Sequence, residues 1–196
     1  MASRKVGVAM DFSGCSKSAL IWALKNIVKD GDHLILVAVV KKHNEEGEMH
    51  LWEDSGSPLM PLEEFASSLG KYGIEQDAEL LSLLQKEARQ KELVVVFKVY
   101  WGDAREKICD AVVDLPLDCI VMGNRGLGTL KRAVLGSVSN YVVNNAPCPV
   151  TVVKLPADVI GHINKFGRNC ERTHCHIYGH PSACRRSIPL LVLSSF

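Results

Sequence analysis

Asp118-Cys-Ile-Val-Met122-Gly123-Asn-Arg-Gly126-Leu-Gly-Thr-Leu-Lys-Arg-Ala-Val-Leu-Gly136-Ser137-Val-Ser139 sets a short apolar run, a glycine-rich loop and the opening of a helix in direct succession. Asp118 to Met122 reads as a strand covered on both faces. A helix follows from about Ser137 to Asn145, and Pro147 and Pro149 bracket the turn into a further strand, Val150 to Lys154. A strand that leads through a helix into the next strand is the repeating unit of a parallel sheet.

The same unit recurs upstream. Val6-Gly-Val-Ala-Met10 is a buried strand ending at Asp11, broken by Ser13-Gly14, with Ser16 as the cap of the following helix. Leu20, Ala23, Leu24, Ile27 and Val28 recur at helical spacing until Asp30-Gly31-Asp32 stops them. His33 to Val40 is a second strand, and polar Lys41 to Pro61 reads as a surface loop. Leu80, Leu81, Leu84 and Ala88 mark a helix that starts between Leu62 and Gly73. Leu93 to Trp101 is a third strand, and Gly102-Asp103 caps a helix that Pro116 ends. The chain is therefore predicted to be α/β, a doubly wound five-stranded parallel sheet with helices on both faces. Ligands of such sheets bind beyond the carboxyl ends of the strands at the switch point, which puts Asp11 and Gly123 on the functional edge.

Composition narrows the function classes. The chain has 196 residues, 47% hydrophobic and 23% charged, with a formal net charge of +1. That balance gives no global pull toward nucleic acid or an anionic membrane. No apolar run approaches the ~20 residues of a membrane span. Met1-Ala-Ser-Arg-Lys5 enters the first strand without an apolar signal region, so a cytoplasmic protein is expected. Cys109, Cys119 and Cys148 lie among aliphatic neighbours and read as small apolar fillers.

Glycine directly after a strand lets backbone N–H groups approach a phosphate with no Cβ in the way. Gly136-Ser137 then opens a helix whose leading N–H groups and dipole favour an anion. The hydroxyls of Ser137 and Ser139 add donors, and Arg125, Lys131 and Arg132 add charge. On this reading Gly123→Val abolishes phosphate binding and leaves the fold largely intact. A P-loop is absent, since no Gly-x4-Gly-Lys-Ser/Thr occurs. Asp11 and Asp103 are the acidic residues near strand ends, and neither makes a convincing general base, so no catalytic residue is assigned.

The spacing Gly-x2-Gly-x9-Gly-Ser from Gly123 to Ser137 resembles the ATP-binding motif of the universal stress proteins. With Val8-Ala9-Met10-Asp11-Phe-Ser13 and Ala146-Pro-Cys-Pro-Val150, it resembles the plant members in particular, over roughly residues 4–154. The resemblance implies an adenine nucleotide α-hydrolase-like sheet and a universal stress protein domain over 1–154. It implies a site in which Ala9, Met10 and Asp11 meet the adenosine, with the Asp11 carboxylate on the ribose and the Val39 backbone on adenine. Met122, Gly123, Arg125 and Gly126 match the ribose and phosphate side, and Gly136, Ser137, Val138 and Ser139 the phosphate cradle. The implied ligand is ATP, with AMP or ADP as alternatives, accompanied by Mg. A homodimer through the edge strand Val150–Val153 is also implied.

Residues 155–196 depart from this pattern and are expected to form an irregular, disordered extension. They hold five Lys/Arg against two Asp/Glu, and four of the seven histidines with three of the seven cysteines. His162, Cys170, His174, Cys175, His176, His180 and Cys184 are zinc-ligand types, but no paired Cys-x2-Cys spacing occurs, and no metal site is assigned. Ile188 to Leu193 is apolar and could pack back on the body. The leading function is nucleotide-dependent regulation in stress response, with slow nucleotide hydrolysis on the same fold, or a nucleotide-independent interaction or chaperone-like module, as alternatives.

Overall fold

The structure, a computed structural model, describes residues 3–40, 55–75, 77–124, 135–154 and 191–193. Five strands run parallel: β1 (Lys5–Met10), β2 (His33–Val40), β4 (Val94–Trp101), β5 (Cys119–Gly123) and β6 (Val150–Val153). Short antiparallel strands flank them, β3 (Met60–Pro61) and β7 (Leu191–Leu193), giving the order β3-β4-β2-β1-β5-β6-β7. The chain winds outward from β1 through β2 to β4, then returns to the other side of β1 at β5. That reversal makes the gap between β1 and β5 the switch point.

Alternation along the strands divides the interior in two. Val6, Val8, Met10, Leu34, Leu36 and Ala38 face one cluster, with Leu20 and Leu24 of α1 (Gly14–Asn26), Phe65 of α2 (Leu62–Ser68) and Leu84 of α3 (Ala78–Lys91). Ala9, Ile35, Val37, Ile120 and Met122 face the other, with Ile108 and Ala111 of α4 (Ala104–Asp114) and Val142 of α5 (Ser137–Asn145). Each fully buried aliphatic side chain contributes about 1.5–3 kcal/mol. The doubly wound α/β sheet expected from the sequence is the fold observed.

Three local expectations change. Ser13, not Ser16, caps α1: the Ser13 hydroxyl accepts from the Ser16 amide, and Ser16 sits inside the helix, 4% exposed. The leucine-rich helix starts at Ala78, where the Asp77 carboxylate accepts from the Leu80 amide at 3.0 Å. A separate helix α2 and a 3-10 turn (Leu69–Tyr72) precede it.

Of the loop expected over Lys41 to Pro61, residues 41–54 lie outside the described residues. The remainder is packed chain: Ser57 donates its amide to Val99 O at 2.7 Å, and Val99 donates its own to Ser57 Oγ at 2.9 Å. Gly56, at φ 73°, lies so close over Tyr100 that a Cβ would come within 2.9 Å of the ring.

Within the stretch expected to be irregular, Leu191–Leu193 form β7 on the edge expected to pair with a second copy. The rest of residues 155–196, including the histidines and cysteines from His162 to Cys184, lies outside the described residues.

Candidate functional site

The first strand turns sharply into its helix. Asp11 follows Met10, Phe12 takes a left-handed φ of 58°, and Ser13 opens α1. A phenylalanine held at positive φ costs of order 1–3 kcal/mol, and the packing around it supplies the constraint. Its ring lies 6.4 Å from that of Phe65, which stacks on Phe97. Asp11 holds the turn from the other side. Its Oδ1 accepts from the Ser13 amide at 3.1 Å and from the Ser13 hydroxyl at 2.6 Å, while that hydroxyl accepts from Ser16 N at 3.3 Å. Asp11 thus closes an Asx turn at the sheet edge.

β5 brings the second half of the site beside the first. Val8 pairs with Val121, so two residues further on Met10 and Gly123 come level at the carboxyl edge. α1 crosses this point closely. A Cβ on Gly123 would lie 3.0 Å from the Cys15 carbonyl carbon and 3.1 Å from its oxygen and β-carbon. The space that Gly123 leaves open is therefore filled by the first turn of α1. The expectation that a side chain there would trouble phosphate alone is corrected accordingly.

Asn124 closes the base of the glycine loop. Its amide donates to Val153 O at 2.9 Å, and its carbonyl accepts from Gly136 N at 2.8 Å and from Ser139 Oγ at 3.2 Å. The two ends of the loop, twelve positions apart in sequence by number, are thereby fastened to one peptide group. Asn124 is 3% exposed, and its Oδ1 is the buried side-chain polar atom without a hydrogen-bond partner among the described residues. Burying an acceptor unpaired costs about 1–3 kcal/mol. Sequence reasoning passed over Asn124; its position between a strand and a glycine loop was the available signal.

α5 starts at the same place. Gly136 is its N-cap, and no side chain caps it. Its leading amides, those of Ser137, Val138 and Ser139, are the donors a helix N-terminus offers to an anion. Ser137 is exposed, Val138 half-buried and Ser139 2% exposed. Ser139 turns inward: its hydroxyl lies 3.0 Å from Gly136 O as well as 3.2 Å from Asn124 O.

Among the residues singled out from the sequence, the fold brings Asp11, Met122, Gly123 and Gly136 through Ser139 to one edge, and Val39 lies on β2 next to β1. Ala9, Met10 and Met122 are 8%, 3% and 4% exposed, with side chains in the two cores, so it is their backbone that reaches the edge. Arg125 and Gly126, with Lys131 and Arg132, lie outside the described residues. Asp103 caps α4 through the Arg105 amide at 2.9 Å, and the Arg105 guanidinium beside it holds its carboxyl down to about 2. Among the described residues no group of three or more His, Cys, Asp or Glu could hold a metal ion, and no helix is long and apolar enough to cross a membrane.

A family model described as the Universal stress protein family matches residues 2–154. Universal stress protein PHOS32 of Arabidopsis thaliana is 31% identical over 173 residues, covering 83% of this chain and 69% of the relative. Universal stress protein PHOS34 of the same plant is 33% identical over 172 residues, covering 80% and 64%. The matches thus span about two thirds of the length of these two relatives. Among solved structures, the hypothetical protein MJ0577 has a TM-score of 0.56 at 26% identity, covering 80% of this chain and 99% of that one. The Arabidopsis thaliana family protein At3g01520, solved with AMP bound, has a TM-score of 0.50 at 23% identity, covering 79% and 94%, a likeness of fold.

Proposed function

The chain belongs to the universal stress protein family, and on that premise we infer that it binds an adenine nucleotide at the β1–β5 edge and acts as a nucleotide-dependent regulator in stress response. One observation carries the reading: Asn124 fastens both ends of the glycine loop beneath the uncapped N-terminus of α5, next to Asp11 at the switch point. Backbone amides and a helix dipole gathered there favour a phosphate. The site also carries an acceptor: the Asp11 carboxylate is suited to ribose hydroxyls.

In this reading the backbones of Ala9, Met10 and Val39 flank the base and Asp11 takes the ribose. Met122, Gly123, Arg125 and Gly126 line the ribose and phosphate side. The amides of Ser137, Val138 and Ser139, following Gly136, hold the phosphates. ATP is the first candidate, with AMP and ADP as alternatives, and Mg would ride on the phosphates. The AMP held by the Arabidopsis family protein belongs to that protein; for this chain the support is its own loop.

Regulation is favoured over hydrolysis because both nearby carboxylates have structural work. Asp11 accepts from Ser13, and Asp103 caps α4 while paired with Arg105. A general base needs a pKa near the working pH, far above that of Asp103. Titration calorimetry with ATP and AMP, each with and without Mg, tests the reading, with phosphate release followed on the same samples. One nucleotide bound per chain without turnover supports it. No heat with any nucleotide would remove it, and phosphate release abolished by Asp11→Asn would move the chain to the hydrolase reading.

A further inference from the structure

α4 follows β4 and α5 follows β5, and those two strands run parallel in the sheet. Each helix returns against the direction of its strand, so both open at the carboxyl edge, and both pack on the same buried cluster. Their leading N–H groups and positive dipole ends therefore face one region. Acidic side chains suit such a place, and Asp103 supplies one as the N-cap of α4. Arg105, in the first turn of the same helix, is a cation set where the dipole disfavours one.

Two contacts hold the Arg105 side chain. Its Nε donates to Asp103 Oδ1 at 3.0 Å and to Oδ2 at 3.1 Å, and its Nη2 donates to Oδ2. Its Cζ lies over the Tyr141 ring of α5, 6.0 Å from the centroid. Tyr141 stands four residues after Ser137, which puts the two on one face of α5. Long side chains of a helix lean back toward its N-terminus, so the Tyr141 ring covers the turn that Ser137 opens. The guanidinium is thereby carried from α4 across to the first turn of α5, whose amides are the phosphate donors of the nucleotide reading.

In this position the guanidinium keeps a second fork. Asp103 occupies the edge formed by Nε and Nη2, and no hydrogen bond among the described residues uses Nη1. The edge formed by Nη1 and Nη2 therefore matches two oxygens of a phosphate without release of Asp103. An anion there would also offset the positive ends of both helices. We propose that Arg105 is the residue that reads nucleotide length: its second fork takes the phosphates beyond the first, so that the chain prefers ATP and ADP to AMP. The proposal rests on the nucleotide reading above and adds to it a residue outside the glycine loop.

Titration calorimetry of the full chain with ATP, ADP and AMP, without Mg, tests this when repeated on Arg105→Gln and Arg105→Lys. The wild type is expected to bind ATP and ADP about tenfold or more tighter than AMP, as hydrogen bonds to a charged group imply. Arg105→Gln is expected to lose about that factor for ATP and ADP and to keep its AMP affinity within about twofold. Arg105→Lys keeps the charge but not the fork, and should fall between the two. Asp103 caps α4 through the backbone amide of residue 105, which both variants retain. The exposed ion pair itself contributes little, so the melting temperature without nucleotide should stay within about 2–4 °C of the wild type.

Unchanged ATP affinity in Arg105→Gln would overturn the proposal while leaving the nucleotide reading intact. So would an equal loss for ATP and AMP, because Arg105 would then serve the nucleoside or the fold. A wild type that takes up none of the three nucleotides would remove the reading itself, and the proposal with it. If Arg105→Gln does not fold, Arg105→Lys carries the same comparison: a fall for ATP and ADP alone supports the proposal, and a fall for all three, or for none, overturns it.

Discussion

Replacing Gly123 by alanine would set a β-carbon 3.0 Å from the carbonyl carbon of Cys15 and 3.1 Å from its oxygen. Ordinary carbon contacts lie at about 3.5–4.0 Å, so the overlap is roughly half an ångström. The opposing atoms are backbone in the first turn of α1, which Ser13 caps and the Lys17–Asp77 ion pair ties to the start of α3. Neither β5 nor α1 can yield without disturbing the core between them. Overpacking of this kind costs about 1–3 kcal/mol. Removing a glycine restores about 0.4–1 kcal/mol through the unfolded state, because the position has no positive φ to protect. The overlap is the larger effect, leaving a net loss of roughly 1–2 kcal/mol.

At about 2–4 °C per kcal/mol for a domain of this size, the melting temperature of the nucleotide-free protein should fall by about 2–8 °C. Gly123→Val, with two more carbons, should lose more. Differential scanning calorimetry with and without ATP separates the two roles of the position. An apo melting temperature equal to or above that of the wild type, with the nucleotide-induced shift gone, would refute the packing argument and restore a purely ligand-side role for Gly123.

Asp11→Ala removes the acceptor for two Ser13 hydrogen bonds and should cost about 1–2 kcal/mol of stability, with nucleotide affinity reduced tenfold or more; Asp11→Asn, which keeps Oδ1, should recover most of the stability, and melting curves alongside calorimetry would check both. Burial alone would raise the Asp32 carboxyl, but the bonds from Arg4 and the Lys29 amide outweigh it and leave it below its ordinary value of 3.8. Its stabilisation is therefore complete above that value and lost as the pH falls through the lower folded one, so Arg4→Ala should move the midpoint of acid unfolding upward, as a pH titration followed by circular dichroism would check. Burial pushes the Cys148 thiol up to about 11, so at pH 8 the folded protein should leave it unmodified by a thiol reagent that labels it rapidly in urea; fast labelling of native Cys148, mapped by peptide mass, would contradict this.

What the sequence disclosed follows from how local each signal is. α5 was legible to the residue because Gly136 precedes it and Pro147 follows it, both acting within one turn. The five parallel strands were legible because continuous apolar runs such as His33–Val40 have no other use in a chain this size. The cap of α1 was misplaced by three residues: Ser13 and Ser16 are chemically alike, and what selects Ser13 is the Asp11 carboxylate that orients its hydroxyl. The segment from Gly56 to Tyr72 was unreadable because its determinants are tertiary, namely the Tyr100 ring under Gly56 and the Val99 peptide beside Ser57. At the site, Asp11 and the glycine loop stood out by residue type. Asn124 did not, since its role belongs to its backbone, and only its position between a strand and the glycine loop marked it.

Adenine-nucleotide occupancy is tested most directly by releasing with acid whatever the gently purified full chain carries, and identifying it by mass spectrometry. Nearly one adenine nucleotide per chain is the predicted result. An empty protein that also takes up neither ATP nor AMP in calorimetry would contradict it, leaving the loop between Gly123 and Gly136 a structural turn and the interaction-module reading in first place.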